Sequence, residues 1–520
     1  MKPLNILIFI LSVFTGMLVL SFVIPKDGIK ITEDWTLHFP SIDEILEPKH
    51  ENYVDISDII TQNQILDTIK DEVNELKSAY LIDSSLVYYK PIDIKPGEVT
   101  RKLEFPTSNK MVLNKFFKEL ANLPVSNKLI RILHYGDSQI EADRMTSYFR
   151  YKLQSQFGGS GPGLIPAIQP YGFLSPVVSE SAGDWKRYPG FTKRDTMVGH
   201  SRYGVLASFS RFSPLPEKLD PVDSIGKTDS IPNNIKKYSA SLTLKHSPYA
   251  VKSVKRYTKA RLFYGYNSKP FNLKLFDGEE LISDNTLIPS ESLQVKKWKF
   301  ANTPSYLHLE FNGEDSPDIY AMALDGNRGI AVDNIALRGS GGLIFTNSSN
   351  SLLASIYQHL NVKLIILQFG GNITPHILEN YNYYERSFYR QLTTLKKLIP
   401  GVSIIVIGLA DMSLKEKDTY VSYPNVTLIR DALKSASFKA DCAFWDMYEA
   451  MGGENSMPSW VFSEPALAEK DFIHFTVGGS KIIAQMFYRA LMLEYNSYIK
   501  KQNKLKKKDE ERAQYSHNNN

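Results

Sequence analysis

Apolar and polar residues follow two different rhythms along this chain. After residue 128, short apolar runs precede stretches in which apolar residues recur every three or four positions. The run at 129–133 is followed by such a stretch at 145–157, which predicts a buried strand and then an amphipathic helix. Further strands are expected at 364–367, 403–407 and 442–445, and further helices at 385–398 and 479–495. This alternation predicts an α/β fold with a parallel sheet covered on both faces.

Residues 180–333 follow the second rhythm, in which polar and apolar positions alternate. The alternation is clearest at 261–264, 272–276 and 306–311. These segments are punctuated by the turn signals Asp277-Gly278, Asn312-Gly313 and Asp325-Gly326. The pattern predicts a β-sandwich inserted into the α/β domain.

The predicted organisation therefore has several parts, as a chain of 520 residues exceeds the size at which a single core keeps growing. They are a transmembrane anchor or signal peptide at 1–25, a region without assigned chemistry at 26–105, the first part of the α/β domain at 106–179, the inserted β-rich domain at 180–333, the second part of the α/β domain at 334–498 and a basic, disordered tail at 499–520. In the second of these parts, one amphipathic helix is expected near 55–76.

The amino-terminal stretch at 6–24 is apolar and carries no charge. About 19 residues just span a hydrocarbon core, whereas the apolar part of a signal peptide runs about 7–15 residues. No Ala-x-Ala cleavage pattern follows. We therefore expect an uncleaved single-span anchor, with a cleaved signal peptide as the alternative. Either way the bulk of the chain is exported, to the periplasmic side of a bacterial inner membrane or, after cleavage, to the outside.

Composition removes some classes of partner and chemistry. The formal charge is only +5, and lysines after Tyr498 supply much of it. A nucleic-acid partner is not expected, because such a footprint needs basic residues spread over a folded face. The single cysteine, Cys442, allows no intramolecular disulfide, which fits a bacterial periplasm better than a eukaryotic secretory lumen. Its apolar neighbours favour a buried structural thiol.

Two motifs at opposite ends of the α/β pattern carry candidate chemistry. Gly136-Asp137-Ser138 ends the first strand and precedes a helix, at the sheet edge where ligands bind in open α/β folds. Serine is also a common helix cap, so this motif alone is weak. Asp471-x-x-His474 precedes the last helix. A hydroxyl needs a neighbouring base to become a nucleophile, and the base needs a carboxylate to orient it.

Two further residues are candidate oxyanion donors, although each alone is more typical of a turn. Asn372 follows the strand at 364–367, and Gly339 ends the segment 332–339. Donors directed at the developing oxyanion are what acyl transfer requires.

Together and in this order, the four segments resemble the SGNH, or GDSL, hydrolase superfamily. The resemblance covers residues 129–178 and 332–495 and implies a flavodoxin-like sheet. It implies that Ser138 is the nucleophile, that His474 is the base and that Asp471 is its partner. The oxyanion hole would comprise the Ser138 amide, the Gly339 amide and the Asn372 side chain.

Two departures from the family pattern affect these assignments. Ile373 follows Asn372, where many members have Asp or Glu. Gly339 lies about 200 residues after Ser138, a gap that the insertion explains, and Gly341 is a fallback. The placement of the insertion is similar to that of the β-domain of bacterial peptidoglycan O-acetylesterases in this superfamily.

Other chemistry has little support in the sequence. The glycine-rich segment 158–163 lacks the Lys-Ser/Thr of a phosphate loop, and no Gly-x-Ser-x-Gly elbow occurs. No metal and no cofactor are implied, since neither His-Glu-x-x-His nor Cys-x-x-Cys is present.

We therefore expect a serine esterase whose substrate is an acylated, chiefly O-acetylated, envelope polysaccharide or peptidoglycan. The alternatives are an O-acetyltransferase with the same triad, a lysophospholipase or thioesterase, and a non-catalytic glycan-binding protein. Six aromatic residues of the insertion are candidates for a sugar-binding surface, with a place in the sandwich core as the competing interpretation. They are Trp185, Tyr188, Tyr203, Tyr264, Tyr266 and Trp298.

Overall fold

The structure is a computed structural model that describes residues 3–25, 28–32, 35–37, 39, 53–63, 91–170, 176–215, 236–417 and 419–518. The strands are β1 Ile29–Lys30, β2 Thr36–Leu37, β3 Leu129–Gly136, β4 Gly163–Ile165, β5 Val177–Gly183, β6 Lys186–Pro189, β7 Ser208–Arg211, β8 Tyr238–His246, β9 Lys259–Asn267, β10 Phe271–Asp277, β11 Glu280–Leu287, β12 Ser290–Lys299, β13 Tyr306–Gly313, β14 Asp318–Asp325, β15 Gly329–Ala336, β16 Val362–Gln368, β17 Ser403–Ile407, β18 Ser413–Glu416, β19 Thr419–Ser422 and β20 Ala443–Trp445.

The helices include the three predicted at 145–157, 385–398 and 479–495. They are α1 Pro3–Val23, α2 Ser57–Asn63, α3 Asn114–Asn122, α4 Thr146–Phe157, α5 Lys252–Lys255, α6 Asn350–Leu360, α7 Asn382–Leu398, α8 Val426–Lys439, α9 Met447–Ala450, α10 Ser456–Phe462 and α11 Val477–Asn518, with 3-10 turns at Pro96–Glu98, Leu123–Val125, Ser138–Asp143 and Phe345–Asn347. Of the helix predicted near 55–76, only α2 is described, and residues 64–76 lie outside the described residues.

Helix α1 belongs to a compact unit of its own with β1 and β2. Within the described residues, α1 alone has the length and hydropathy of a membrane-spanning helix. Signal sequences near an N-terminus share these properties, so the helix fits both an anchor and a signal peptide.

The α/β domain contains a five-stranded sheet in the order β15-β3-β16-β17-β20, and every neighbouring pair is parallel. Counted along the chain, this order is the flavodoxin-like 2-1-3-4-5. Leu133 and Ile365 on one face pack with apolar residues of α6, α7 and α8. On the other face, the His134 ring lies 5.2 Å from that of Phe149 in α4. The prediction of a parallel sheet covered on both faces is confirmed.

The insertion consists of two antiparallel sheets that pack face to face. Their strand orders are β11-β10-β13-β8-β5 and β12-β9-β14-β7-β6, with β4 also pairing with β14. Leu242, Leu262, Leu273 and Leu309, among others, form the core between the sheets. Alternation along the strands places these side chains on the inner faces.

A buried ion cluster joins the insertion to the parallel sheet. The Arg131 guanidinium in β3 contacts Asp333 of β15 at 2.6 Å and Asp325 of β14 at 2.6 Å. Asp333 also accepts a hydrogen bond from the Leu164 amide in β4. Gly163 is required here, since a Cβ would lie 2.0 Å from Asp333 Oδ1. The cluster therefore holds β4 against the edge strand of the parallel sheet.

Three predicted boundaries need correction. The boundary between 179 and 180 falls inside β5, which belongs as a whole to one sheet of the insertion. The boundary between 333 and 334 falls inside β15, which pairs with β3 over its whole length. The strand follows the insertion directly in sequence, and its own residues do not reveal that it belongs to the parallel sheet. The tail predicted as disordered from 499 is helical through Asn518. Lys, Glu, Gln and Arg are strong helix formers, and residues 480–518 contain no glycine or proline.

The structure decides between the two interpretations of the six aromatic residues, a sugar-binding surface and a place in the core. Tyr188, Tyr203, Tyr264 and Trp298 are buried in hydrophobic cores. Trp185 is half-buried, and its indole packs edge-on against Phe212 and Phe311. Tyr266 is also half-buried and lies beneath the Arg202 guanidinium. Alternation identified the strands but not which face of each strand would be covered, so the core interpretation holds for these residues.

Candidate active site

Ser138 lies directly beyond the carboxyl end of β3. The three strands β15, β3 and β16 end together, because Gly136 pairs with both Ala336 and Gln368. Asp137 then caps the 3-10 turn Ser138–Asp143 by accepting a hydrogen bond from the Gln139 amide at 3.0 Å. Order 2-1-3-4-5 has its topological switch point at the edge of β3 and β16, where ligands bind in such sheets.

The structure brings Ser138, His474 and Asp471 together. Ser138 Oγ lies 2.8 Å from His474 Nε2, and His474 Nδ1 lies 2.7 Å from Asp471 Oδ2. The other oxygen of Asp471 accepts hydrogen bonds from the backbone amides of Ile473 and His474, at 2.9 Å and 3.0 Å. The three-residue spacing thus forms a turn in which the carboxylate orients the imidazole.

The electrostatics of this turn determine the histidine tautomer. Partial burial would raise the pKa of Asp471, but hydrogen bonds from the His474 side chain and from two backbone amides outweigh it and lower the pKa to about 2. An ionised carboxylate only accepts hydrogen bonds, so Nδ1 of His474 is the donor to Asp471. Nε2 is then free to accept the hydrogen bond of Ser138. This is the arrangement required of a general base.

Two side chains from the Ser138 turn tie it to the His474 turn. Arg144 donates to the Ser138 carbonyl at 3.0 Å and to the Phe475 carbonyl at 3.2 Å. Gln139 donates to the Ile473 carbonyl. These bonds connect segments more than 300 residues apart in sequence. No spacing pattern marks either residue, and they were not predicted.

Asn372 and Gly339 lie in the loops that follow β16 and β15, at the same sheet edge as Ser138. Asn372 Nδ2 donates to the Ser340 carbonyl at 3.2 Å, which links the two loops. Gly339 has φ +79°, and a Cβ there would meet only open space. At Gly341, the fallback position, a Cβ would lie 2.9 Å from the Ile373 side chain. Gly339 is therefore the more accessible of the two glycines, and Ile373 is a packing residue.

The Gly339 loop is also joined to the Ser138 turn by an ion pair. Arg338 Nε and Nη2 each donate to one oxygen of Glu141 at 2.6 Å. The Glu141 side chain is buried and that of Arg338 is 44% exposed. A two-pronged pair of this kind fixes orientation as well as distance. The sequence offered no signal for it, because the partners lie 197 residues apart.

Asp137, the middle residue of the Gly-Asp-Ser motif, is a buried acid beside the nucleophile. Burial raises the pKa of Asp137 to about 6, against the lowering effects of hydrogen bonds from the Gln139 amide and the Asn372 side chain. Its carboxyl group therefore links the Ser138 turn to Asn372. The motif contained this residue, but its role was not predicted.

Two other histidines, His134 and His376, lie outside this group. His134 is buried and contacts Thr146 Oγ1 at 2.8 Å and Gln368 Oε1 at 3.2 Å. Burial lowers the pKa of His134 to about 3, so it is neutral and structural. His376 is exposed. Within the part of the chain that the structure describes, no cluster of three His, Cys, Asp or Glu residues has the geometry to hold a metal ion.

No protein-family model matches the chain, and no curated protein does. Among solved structures, the chain is similar to a peptidoglycan O-acetylesterase, at 18% identity and a TM-score of 0.56, over 74% of this chain and 96% of that one. A family two carbohydrate esterase from Clostridium thermocellum in complex with cellohexaose matches at 9% identity and a TM-score of 0.23, over 50% of this chain and 93% of that one. A salicylyl-acyltransferase from a tetracycline biosynthetic pathway matches at 13% identity and a TM-score of 0.23, over 48% of this chain and 81% of that one.

The last two TM-scores are too low to bear on the fold. The first similarity spans nearly the whole of the esterase chain and shows that the two proteins share a fold. The predicted fold class, a parallel α/β sheet interrupted by an antiparallel β-rich insertion, is confirmed.

Proposed function

We propose that this protein is a serine esterase that removes O-acetyl groups from an envelope polysaccharide or peptidoglycan. The observation that carries the proposal is the hydrogen-bonded series of Ser138, His474 and Asp471 at the carboxyl edge of a flavodoxin-like sheet. The fold shared with a peptidoglycan O-acetylesterase supports the substrate class. Helix α1 supports an exported, membrane-associated enzyme.

In the proposed first step, Ser138 Oγ attacks the acetyl carbonyl carbon while His474 Nε2 takes the hydroxyl proton. Asp471 remains ionised and stabilises the imidazolium through Nδ1. The oxyanion would accept hydrogen bonds from the Ser138 amide, from the Gly339 amide and from Asn372 Nδ2, which would release the Ser340 carbonyl to do so. The carbon–oxygen bond to the sugar then breaks, and the imidazolium protonates the departing sugar oxygen. This leaves an acetyl group on Ser138.

The second step repeats the chemistry with water. His474 takes a proton from the water molecule as its oxygen attacks the acetyl group, and the proton then passes to Ser138 Oγ as acetate leaves. A sugar hydroxyl in place of the water would make the same enzyme an O-acetyltransferase. Product analysis with and without an added sugar acceptor separates these two outcomes.

The test is the full-length protein in detergent, assayed on p-nitrophenyl acetate and on O-acetylated peptidoglycan. Ser138→Ala should lower kcat at least about a thousandfold on both, since removal of a triad nucleophile leaves only binding and oxyanion effects. His474→Ala should be almost as damaging. Ser351→Ala, at an exposed position of α6, is the matched control. A Ser138→Ala variant with more than about a tenth of the wild-type rate would exclude Ser138 as the nucleophile.

A further inference from the structure

A cavity of about 100 Å³ lies where the α/β domain meets the inserted sandwich. One wall is the end of the Ser138 turn, at Glu141, and a second is the end of β15, at Asn334. The remaining walls come from the segment around β4, including Gln169, and from Arg187 and Leu206 of the insertion. The cavity is therefore built jointly by the two domains.

The cavity shares a wall with the catalytic turn. Ser138 begins the 3-10 turn whose last residues line the cavity. That wall is held by the pair of Glu141 with Arg338 and by the buried pair of Asp143 with Arg150. A ligand in the cavity would contact a turn that these ion pairs hold in place, so the position of the ligand relative to Ser138 would be fixed.

The triad itself offers little enclosed surface to a substrate. The side chains of His474 and Asp471 are 26% and 45% exposed, and neither residue lines the cavity, nor does Ser138. The triad can thus hold an acetyl ester but provides few contacts to the alcohol behind it. Binding energy from parts of the substrate remote from the reacting bond must come from elsewhere, and the cavity is adjacent.

The lining suits a neutral sugar. Proline and aliphatic side chains, such as Leu164 and Leu206, provide apolar faces. The Gln169 carboxamide makes no hydrogen bond to any described residue, and Asn334 uses its Nδ2 for the Ile140 carbonyl and Thr146, which leaves Oδ1 as an acceptor. The volume is several times the roughly 10–15 Å³ that a cavity needs to hold one water, so the cavity has room for a ligand group larger than water.

We propose that this cavity is a subsite for one unit of the glycan, the neighbour of the acetylated unit. The acetylated unit itself must lie outside, because its ester has to reach Ser138. This inference rests on the proposed esterase function and adds to it a position at which the enzyme distinguishes a polymer from a simple ester.

The test is Gln169→Trp, which fills the cavity, together with Gln169→Ala, which removes the carboxamide. On an O-acetylated peptidoglycan disaccharide, Gln169→Trp should lower kcat/KM at least about tenfold, chiefly through KM, as expected for lost uniform binding. Gln169→Ala should have a smaller effect in the same direction. Both variants should keep the wild-type rate on p-nitrophenyl acetate. Gln358→Trp is the matched control, on the exposed surface of α6 near its carboxyl end.

The outcomes separate this inference from the proposed function. A parallel loss on both substrates, or no loss on the disaccharide, would overturn the subsite. If the wild type hydrolyses neither ester, the proposed function fails. The subsite is then judged by calorimetric titration of the disaccharide into Ser138→Ala and Ser138→Ala/Gln169→Trp. Weaker binding by the double variant supports the subsite, and equal binding refutes it.

Discussion

Asp137→Asn tests whether the active site contains a buried acid that lowers stability. Only 3% of Asp137 is exposed, and burial raises the pKa of its carboxyl from 3.8 to about 6. A raised pKa in the folded state means that the folded protein binds the proton more tightly than the unfolded chain does. The free energy of unfolding therefore falls as the pH rises from about 4 to about 6. At roughly 1.4 kcal/mol per pH unit, the total is about 3 kcal/mol.

The asparagine variant lacks this titration, so its stability relative to wild type should change with pH. We expect the difference in unfolding free energy, variant minus wild type, to increase by about 2–3 kcal/mol between pH 4 and pH 7. The pH-independent part of the difference reflects the new amide and does not affect this increase. Urea unfolding, followed by tryptophan fluorescence at several pH values, measures the unfolding free energy of both proteins and hence this increase.

A matched control for this experiment is Asp509→Asn, whose side chain is exposed on α11. The unfolding free energy of this variant should differ from that of the wild type by the same amount at every pH. A constant difference between Asp137→Asn and wild type from pH 4 to pH 7 would refute the reasoning, because it would mean that folding does not disturb the ionisation of Asp137.

Three further predictions concern the oxyanion loops and the amino-terminal helix. Asn372→Ala should lower kcat on p-nitrophenyl acetate by about 10²–10³, the usual loss for one oxyanion donor, and an unchanged kcat would remove Asn372 from the site. Glu141→Gln removes the charge that holds Arg338 and so loosens the Gly339 loop. We therefore expect kcat to fall by about tenfold to a hundredfold. Unaltered kinetics would count against a role of Glu141 in positioning this loop. If α1 is an uncleaved anchor, the purified protein retains Met1 and stays with membranes in carbonate washing, whereas a soluble form without α1 would identify a signal peptide.

Local sequence patterns predicted the elements well, because each rests on neighbouring residues. The run at 129–133 and the spacing at 145–157 became β3 and α4. The Asp471-x-x-His474 spacing produced a hydrogen-bonded turn for the same reason. The predicted boundary inside β15 was wrong because a strand's own residues do not reveal which sheet it joins.

Long-range pairing explains the other residues that the sequence did not reveal. Arg131 meets Asp325 and Asp333 across about 200 positions, and Arg338 meets Glu141 across a similar distance. Nothing near either arginine in sequence specifies its partner. The burial of Tyr188 and its neighbours likewise depends on which faces of two sheets come together, and this is a property of the assembled sandwich.

Several features around Ser138 lower stability and are local departures from ordinary structure. Ala142, Asp143 and Phe472 have positive φ without being glycine, a conformation that costs of order 1–3 kcal/mol each. Asp137 adds a buried carboxyl group. All four lie within a few residues of Ser138 or His474, and the turns are tied together by hydrogen bonds from Arg144 and Gln139. Such costs persist only where the surrounding structure over-determines them. Six other non-glycine residues with positive φ lie elsewhere in the described chain, so the hydrogen bonds that join the two catalytic turns are what distinguish this sheet edge. It follows that Asp137→Asn should gain stability relative to the wild type as the pH rises and should be less active, because the same carboxyl group that opposes folding at neutral pH also holds Asn372.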